Sequence, residues 1–260
     1  MEEKTAMPSL EKLVVASSPH IRAEETVDKL MWQVLVALLP AAVVSVYFFG
    51  FRSLVLMAVG VASAVLTEAL VQKALGKEVT VADGSAAVTG LLLAFNVPAD
   101  APWWLVAIGA AFAIAVVKQT FGGLGANFVN PALAARAFML AAWPQHMTGK
   151  FPVPLDSVTA ATPLAILKGT AAGTLPSYLD LFIGNVGGVL GETSALALLV
   201  GGAYLIWQKV IDWRTPVSFI GTVALLTWVF GGKGGLLTGD PLYHVLAGGL
   251  ILGAFFMATD

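Results

Sequence analysis

A hydroxyl that is to carry a phosphoester needs an extended, uncrowded segment, and Asp156-Ser157-Val158-Thr159-Ala160-Ala161-Thr162-Pro163-Leu164 offers one. The ring of Pro163 disfavours the α conformation at the residue before it, so Thr162 is expected to be extended. Ala160 and Ala161 leave room for another molecule to approach the hydroxyl of Thr162. Ser157, Thr159 and Thr162 are equally ordinary helix N-caps, and Pro163 suits the first helical position. On these residues alone, cap and acceptor are both open readings.

A second run, Phe121-Gly122-Gly123-Leu124-Gly125-Ala126-Asn127-Phe128-Val129-Asn130-Pro131-Ala132, combines conformationally free glycines with two amides three residues apart. If both lie at the start of a helix, Asn127 and Asn130 share a face and offer donors and acceptors to a heteroaromatic edge. Capping, interhelical hydrogen bonds and tight packing of small residues use the same pattern. The order of a phosphate loop is absent. Carboxylates in or beside apolar spans are candidates for function because burying charge in lipid is expensive. Glu68, Asp83, Glu192 and Asp240 are those candidates. Glu192, with Thr193 beside it, starts a span on the same side as Thr162, where it lines a pocket or ion entrance, or caps its helix. Glu68 is expected near an interface and Asp240 in a structural turn. Arg136 lies within a span, needs an anionic or carbonyl partner, and is expected to form a structural ion pair.

These residues must be positioned by membrane helices. Hydrophobic residues make up 58% of the chain and charged ones 12%, and the mean hydropathy is +0.84. A soluble domain carries roughly twice that share of charge. The fold class expected is an all-α polytopic membrane protein. It has about eight spans or half-spans, near Leu30–Phe49, Leu54–Ala74, Ala86–Val97, Trp103–Val117, Phe128–Trp143, Glu192–Trp207, Val217–Phe230 and His244–Ala258. A partial segment is expected near Leu179–Val189. Ala86–Val97 is short for a crossing, which predicts a broken or tilted helix. Residues 1–29 read as a cytoplasmic arm, 30–260 as one transmembrane domain, and 144–176 as a polar interlude. Trp103, Trp104 and Trp143 fit an interfacial belt.

Nine basic residues (Lys4, Lys12, Arg22, Lys29, Lys73, Lys77, Lys118, Lys209 and Arg214) fall on the N-terminal side of this topology, against four on the other. That bias makes the N-terminal side cytoplasmic and places Thr162 on the outer face. Residues 86–95 and 246–255 echo each other, which predicts two related repeats, the second incomplete at Asp260. The absence of cysteine excludes disulfides, thiolate-held iron–sulfur centres and Cys-type zinc sites within the chain. With three isolated histidines, no metal or haem cage is expected, so a redox cofactor would be organic. No basic cluster points to nucleic acid.

The segment Asp156–Thr162 resembles D-x-x-[S/T]-[G/A]-A-T, the acceptor motif at which a transferase joins FMN to the last threonine through its phosphate. Ser18-Pro19-His20, Asp83-Gly84-Ser85-Ala86, the 121–132 run, Asp156 to Leu164, Gly191-Glu192-Thr193-Ser194 and Gly253 to Asp260 occur in this order. As a set they resemble the family that unites the D subunit of the Rnf ion-translocating electron-transport complex with the B subunit of the sodium-pumping NADH:quinone oxidoreductase. The short N-terminal arm favours the first. Two departures stand out: family members continue past Asp260 with further spans, and Ala160 replaces a common glycine.

The resemblance implies covalent FMN on Thr162, with Asp156 and Thr159 as recognition residues, Ala161 as an uncrowded neighbour, and Glu192 and Thr193 near the flavin. It implies a second, non-covalent flavin, riboflavin, near Asn127, Asn130 and Gly123. Partners implied are other membrane and peripheral components of the complex, among them a second protein with covalent flavin and iron–sulfur proteins, in a bacterial or archaeal cytoplasmic membrane. The implied activity is electron relay between ferredoxin and NAD⁺ sides, coupled to Na⁺ or H⁺ movement and not expressed by this chain alone. A secondary transporter on the same repeat scaffold is the competing class.

Overall fold

The computed structural model describes residues 26–148, 151–152, 159–232 and 235–259. The expected arm, its Ser18-Pro19-His20 motif and Asp156 lie outside these residues. Helix α1 (Val27–Phe49) begins three residues before the expected Leu30, because Thr26 caps it and accepts a hydrogen bond from the Lys29 amide at 3.4 Å. Gly50, at φ 73°, makes the one-residue turn into α2 (Phe51–Ala74). These two helices are long and apolar enough to cross a membrane. Trp32, Val43, Tyr47, Phe51 and Leu66 on their outer faces are exposed. Lipid is the medium that accepts such a surface.

Helix α3 (Ser85–Phe95) is an 11-residue half-span whose residues are nearly all buried. It lies unusually close to α2: a Cβ at Gly90 would sit 2.4 Å from the Gly60 carbonyl oxygen. Small residues permit this backbone approach. A helix ending inside the protein leaves carbonyls that lipid cannot satisfy. Here the amides of Gly191 and Leu190 donate to the carbonyls of Phe95 and Val97, at 2.9 and 3.1 Å. Gly191 is required at that crossing, since a Cβ there would lie 2.3 Å from Phe95 Cβ.

Helix α4 (Trp103–Phe112) continues as a π-helical stretch, Ala113–Gln119. Helix α5 (Pro131–Ala142) starts later than the expected Phe128, because Asn130 caps it and Pro131 takes its first position. Trp103 is exposed as a belt residue would be, whereas Trp104 packs edge-on against Trp143 at 5.6 Å.

The interlude is built from short pieces. They are α6 (Pro144–Met147), a two-residue antiparallel pair β1 (Phe151–Pro152) and β2 (Thr159–Ala160), and α7 (Pro163–Lys168). Then come α8 (Tyr178–Ile183), an irregular segment 184–194, α9 (Ala195–Trp207) and α10 (Arg214–Phe230). The partial segment near Leu179–Val189 is therefore one short helix followed by a loop.

The expected span His244–Ala258 is broken. Helix α11 (Pro241–Leu246) stops, Gly248 adopts φ 76°, and α12 (Leu250–Leu252) resumes into a π-helical stretch, Gly253–Met257. The echoing run 86–95, by contrast, lies in one unbroken helix. Leu38, Leu56, Leu93, Phe95, Ile114, Leu198 and Leu252 fill the common core of both halves. The described fold is thus all-helical apart from the small hairpin pair, as expected for an all-α membrane protein.

Candidate functional site

A cavity of about 570 Å³ opens where the interlude, α5, the 184–194 loop and the α11–α12 break meet. This lies within the roughly 300–1,000 Å³ usual for cofactor and ligand sites. Its polar wall carries Thr162, Arg136, Glu192, Thr193 and His244, and its floor includes Gly188, Gly248 and Gly249.

Thr162 has φ −63° and ψ 149°, the extended geometry that Pro163 dictates, and it caps α7. Its hydroxyl accepts from the Ala165 amide at 3.3 Å, which is long for a cap bond. Thr162 thus both caps α7 and lines the cavity. Ala161 is half-buried beside it and does not reach the cavity, and Thr159 enters through its backbone pairing with Pro152.

Glu192 does not cap α9; Ser194 does, accepting from the Ala197 amide at 3.3 Å. Glu192 Oε1 instead accepts from the Val189 amide at 3.3 Å, inside the loop. Two glycines make its berth: a Cβ at Gly188 would lie 3.1 Å from Glu192 Oε1, and one at Gly249 3.2 Å from Oε2. The two breaks in the helical bundle thus meet around one carboxylate. Arg136 was expected to have an anionic or carbonyl partner, as a structural ion pair. Among the described residues it forms none and donates instead to Asn96 Oδ1 at 2.7 Å. Asn96 is the C-cap of α3 and donates to the Leu92 carbonyl at 2.7 Å, which holds it in place. His244 Nδ1 is 2.7 Å from the Asp240 carbonyl oxygen.

Asp240 is structural, as expected. It caps α11 by accepting from the Tyr243 amide at 3.0 Å and also accepts from the Tyr178 hydroxyl. The Tyr178 hydroxyl holds the Asp240 carboxyl below its ordinary value of 3.8, and the same contact raises the Tyr178 phenol.

The asparagine run forms a second, shallower site of about 260 Å³, lined by Leu124, Gly125, Asn127, Phe128, Val129, Asn130 and Met257. The two amides do not share a helical face. Asn130 Oδ1 accepts from the amides of Ala132 and Leu133, at 3.0 and 3.1 Å, while Asn127 precedes the helix. Asn127 Oδ1 is buried without a hydrogen-bond partner among the described residues. Such an acceptor fits an N–H at the edge of a heteroaromatic ring. Gly123, at φ 100°, shapes the turn and lines neither this cavity nor the larger one.

Behind this site is a feature that linear reading misplaces. Lys118, counted as an interfacial cation, has a side chain 3% exposed and pairs with Glu68 at 2.6 Å. Its ammonium also donates to Ser85 Oγ at 2.6 Å, Ser85 donates to Asp83 Oδ1 at 2.7 Å, and Gln119 Nε2 donates to Glu68 Oε1 at 2.8 Å. Glu68 Oε2 has no partner among the described residues. The sequence carries no local signal for this pair, since its members lie on different helices.

Several curated proteins are similar to the chain over nearly all of its length. The D subunit of the Na⁺-translocating ferredoxin:NAD⁺ oxidoreductase complex of Acetobacterium woodii is 55% identical over 251 residues, covering 95% of this chain and 77% of that protein. The D subunit of the proton-translocating ferredoxin:NAD⁺ oxidoreductase complex of Clostridium ljungdahlii is 48% identical, covering 95% and 78%. The D subunit of an ion-translocating oxidoreductase complex of Methanosarcina acetivorans is 37% identical, covering 95% and 76%. Residues 14–260 match the profile of the NQR2, RnfD, RnfE family, and the chain belongs to that family.

Proposed function

We propose that this chain is the D subunit of an ion-translocating ferredoxin:NAD⁺ oxidoreductase complex, and that it carries FMN as a phosphoester on Thr162. The observation that carries the reading is the place of Thr162: an extended, half-buried residue on the wall of a cavity of about 570 Å³. Similarity to the D subunits of Na⁺- and proton-translocating complexes supports the assignment to such an assembly.

In this reading Asp156 and Thr159 present the acceptor to the transferase, and Ala161 keeps it uncrowded. Gly188 and Gly249 make room for the Glu192 carboxylate and Gly248 for Leu164, and Glu192 and Thr193 border the cavity that the ring would enter. The bound flavin supplies one-electron chemistry; the chain supplies fixed placement and a low-dielectric surround. Asn127 and Asn130 form the site for a non-covalent riboflavin, with the unpartnered Asn127 oxygen supporting that assignment. The N-terminus is cytoplasmic and Thr162 lies on the outer face. Electrons arrive from and leave to flavin and iron–sulfur proteins of the same complex.

In-gel fluorescence tests the reading. The denatured chain, produced with its flavin transferase, is expected to give a fluorescent band under ultraviolet light that Thr162→Ala abolishes. A dark wild-type band would favour the competing class, a secondary transporter. The helix breaks at 184–194 and 247–249 are the feature such transporters share.

A further inference from the structure

Arg136 is the one arginine or lysine on the wall of the Thr162 cavity among the described residues. A guanidinium has five N–H donors, and one is accounted for, by Asn96. Glu192, the one carboxylate on that wall among the described residues, feels the charge of Arg136 but makes no contact ion pair with it. A cation inside a membrane bundle is costly unless an anion compensates it. Arg136 is also rigidly held. Its neighbours on α5, Ala132, Ala135 and Met139, are buried, and Asn96 is fixed by the end of α3.

We infer that Arg136 is the electrostatic partner of the flavin ring, compensating the negative charge the ring gains with each electron. The inference rests on the proposed FMN ester at Thr162. A group tethered there is held at the cavity whose wall also carries the guanidinium. One electron from a one-electron iron–sulfur donor adds one negative charge when no proton follows. The guanidinium keeps its own charge throughout, and the compensation ends when the electron passes on. A fixed cation at short range in low dielectric stabilises the reduced form over the oxidised one. Arg136 therefore raises the reduction potential of this flavin above that of an otherwise identical site. The simpler role, capping the α3 C-terminus through Asn96, uses one donor and leaves the potential untouched.

Spectroelectrochemical titration of the purified complex separates the two roles. The component missing from Thr162→Ala identifies this flavin. Arg136→Gln is expected to keep the fluorescent band and shift that component to more negative potential, and Arg136→Lys to shift it less. Asn96→Asp keeps the acceptor for Arg136 and neutralises its charge in place, at the cost of the donor to the Leu92 carbonyl, so it is expected to shift the potential the same way even if Arg136→Gln does not assemble. An unchanged potential in Asn96→Asp or Arg136→Gln, with the band present, overturns the role given to Arg136. A wild-type chain with no band overturns the flavin reading instead.

Discussion

The two polar regions of this protein treat charge in opposite ways. Around Lys118 and Glu68 the charges touch at 2.6 Å, neighbouring hydroxyl and amide groups are recruited, and the adjoining void is about 30 Å³, room for little more than a water. Around Thr162 the cavity is about 570 Å³, and Arg136 and Glu192 face it without pairing. The first arrangement fixes the relation of α2, α3 and the end of α4. The second holds Arg136 and Glu192 out of contact on the wall of an open cavity. Charges locked in contact position helices, whereas charges held apart on a cavity wall are available to a ligand.

The sharpest way to break this contrast is to unpair the closed region. Glu68→Gln leaves Lys118 buried without its counter-charge and is expected to destabilise the protein by about 3–5 kcal/mol, enough to abolish assembly. Fluorescence-detected size exclusion would report it, and adding Lys118→Met should restore much of the loss. Equal tolerance of the single and double variants would show that the pair is not structural. In the open region Glu192→Gln breaks no ion pair, so a loss comparable to that of Glu68→Gln would erase the distinction.

Gly191→Ala is next in size. Its Cβ would meet Phe95 at 2.3 Å, at the crossing that satisfies the end of α3. A loss of about 1–3 kcal/mol is expected from overpacking, visible as a lower thermal midpoint in detergent. Gly188→Ala, whose nearest contact is the Glu192 carboxylate at 3.1 Å, should be milder and felt in the cavity. If the two variants are alike, the glycines serve general flexibility instead.

Thr162→Ala removes a helix cap, with a stability loss of about 1 kcal/mol. Thr162→Ser keeps the cap, so its thermal midpoint should stay near wild type.

The smallest effect concerns pH at the turn that joins Tyr178 and Asp240. The Tyr178 hydroxyl lowers the Asp240 carboxyl below 3.8, so this contact stabilises the fold above that pH and is lost as pH falls through the lowered value. Tyr178→Phe should therefore reduce stability near neutral pH slightly and flatten its decline in acid, as followed by unfolding at several pH values. An unchanged acid limb would mean the bond contributes nothing in solution.

Much of the helical layout was legible because spans of apolar residues and their flanking prolines and glycines are local signals. Pro163 dictated the extended Thr162, and the run at 86–95 is short as expected, though it forms one unbroken helix. What was not legible depends on contacts between distant segments. Nothing near Lys118 announces that Glu68 will draw it inward. Nothing near Gly191 announces that its amide completes α3. The break at 247–249 was hidden because 246–255 is as apolar as a continuous helix, and two adjacent glycines do not by themselves end one. Arg136 read as an ion pair because a charge in a span needs a partner; that the partner among the described residues is Asn96 required the fold.

The most direct test is the mass of the proteolytic fragment containing Thr162, taken from active complex made with the flavin transferase present. The prediction is a fragment heavier by FMN less one water, with the addition localised to Thr162. A fragment recovered entirely unmodified from active enzyme would contradict the flavin assignment and the role drawn from it for Arg136.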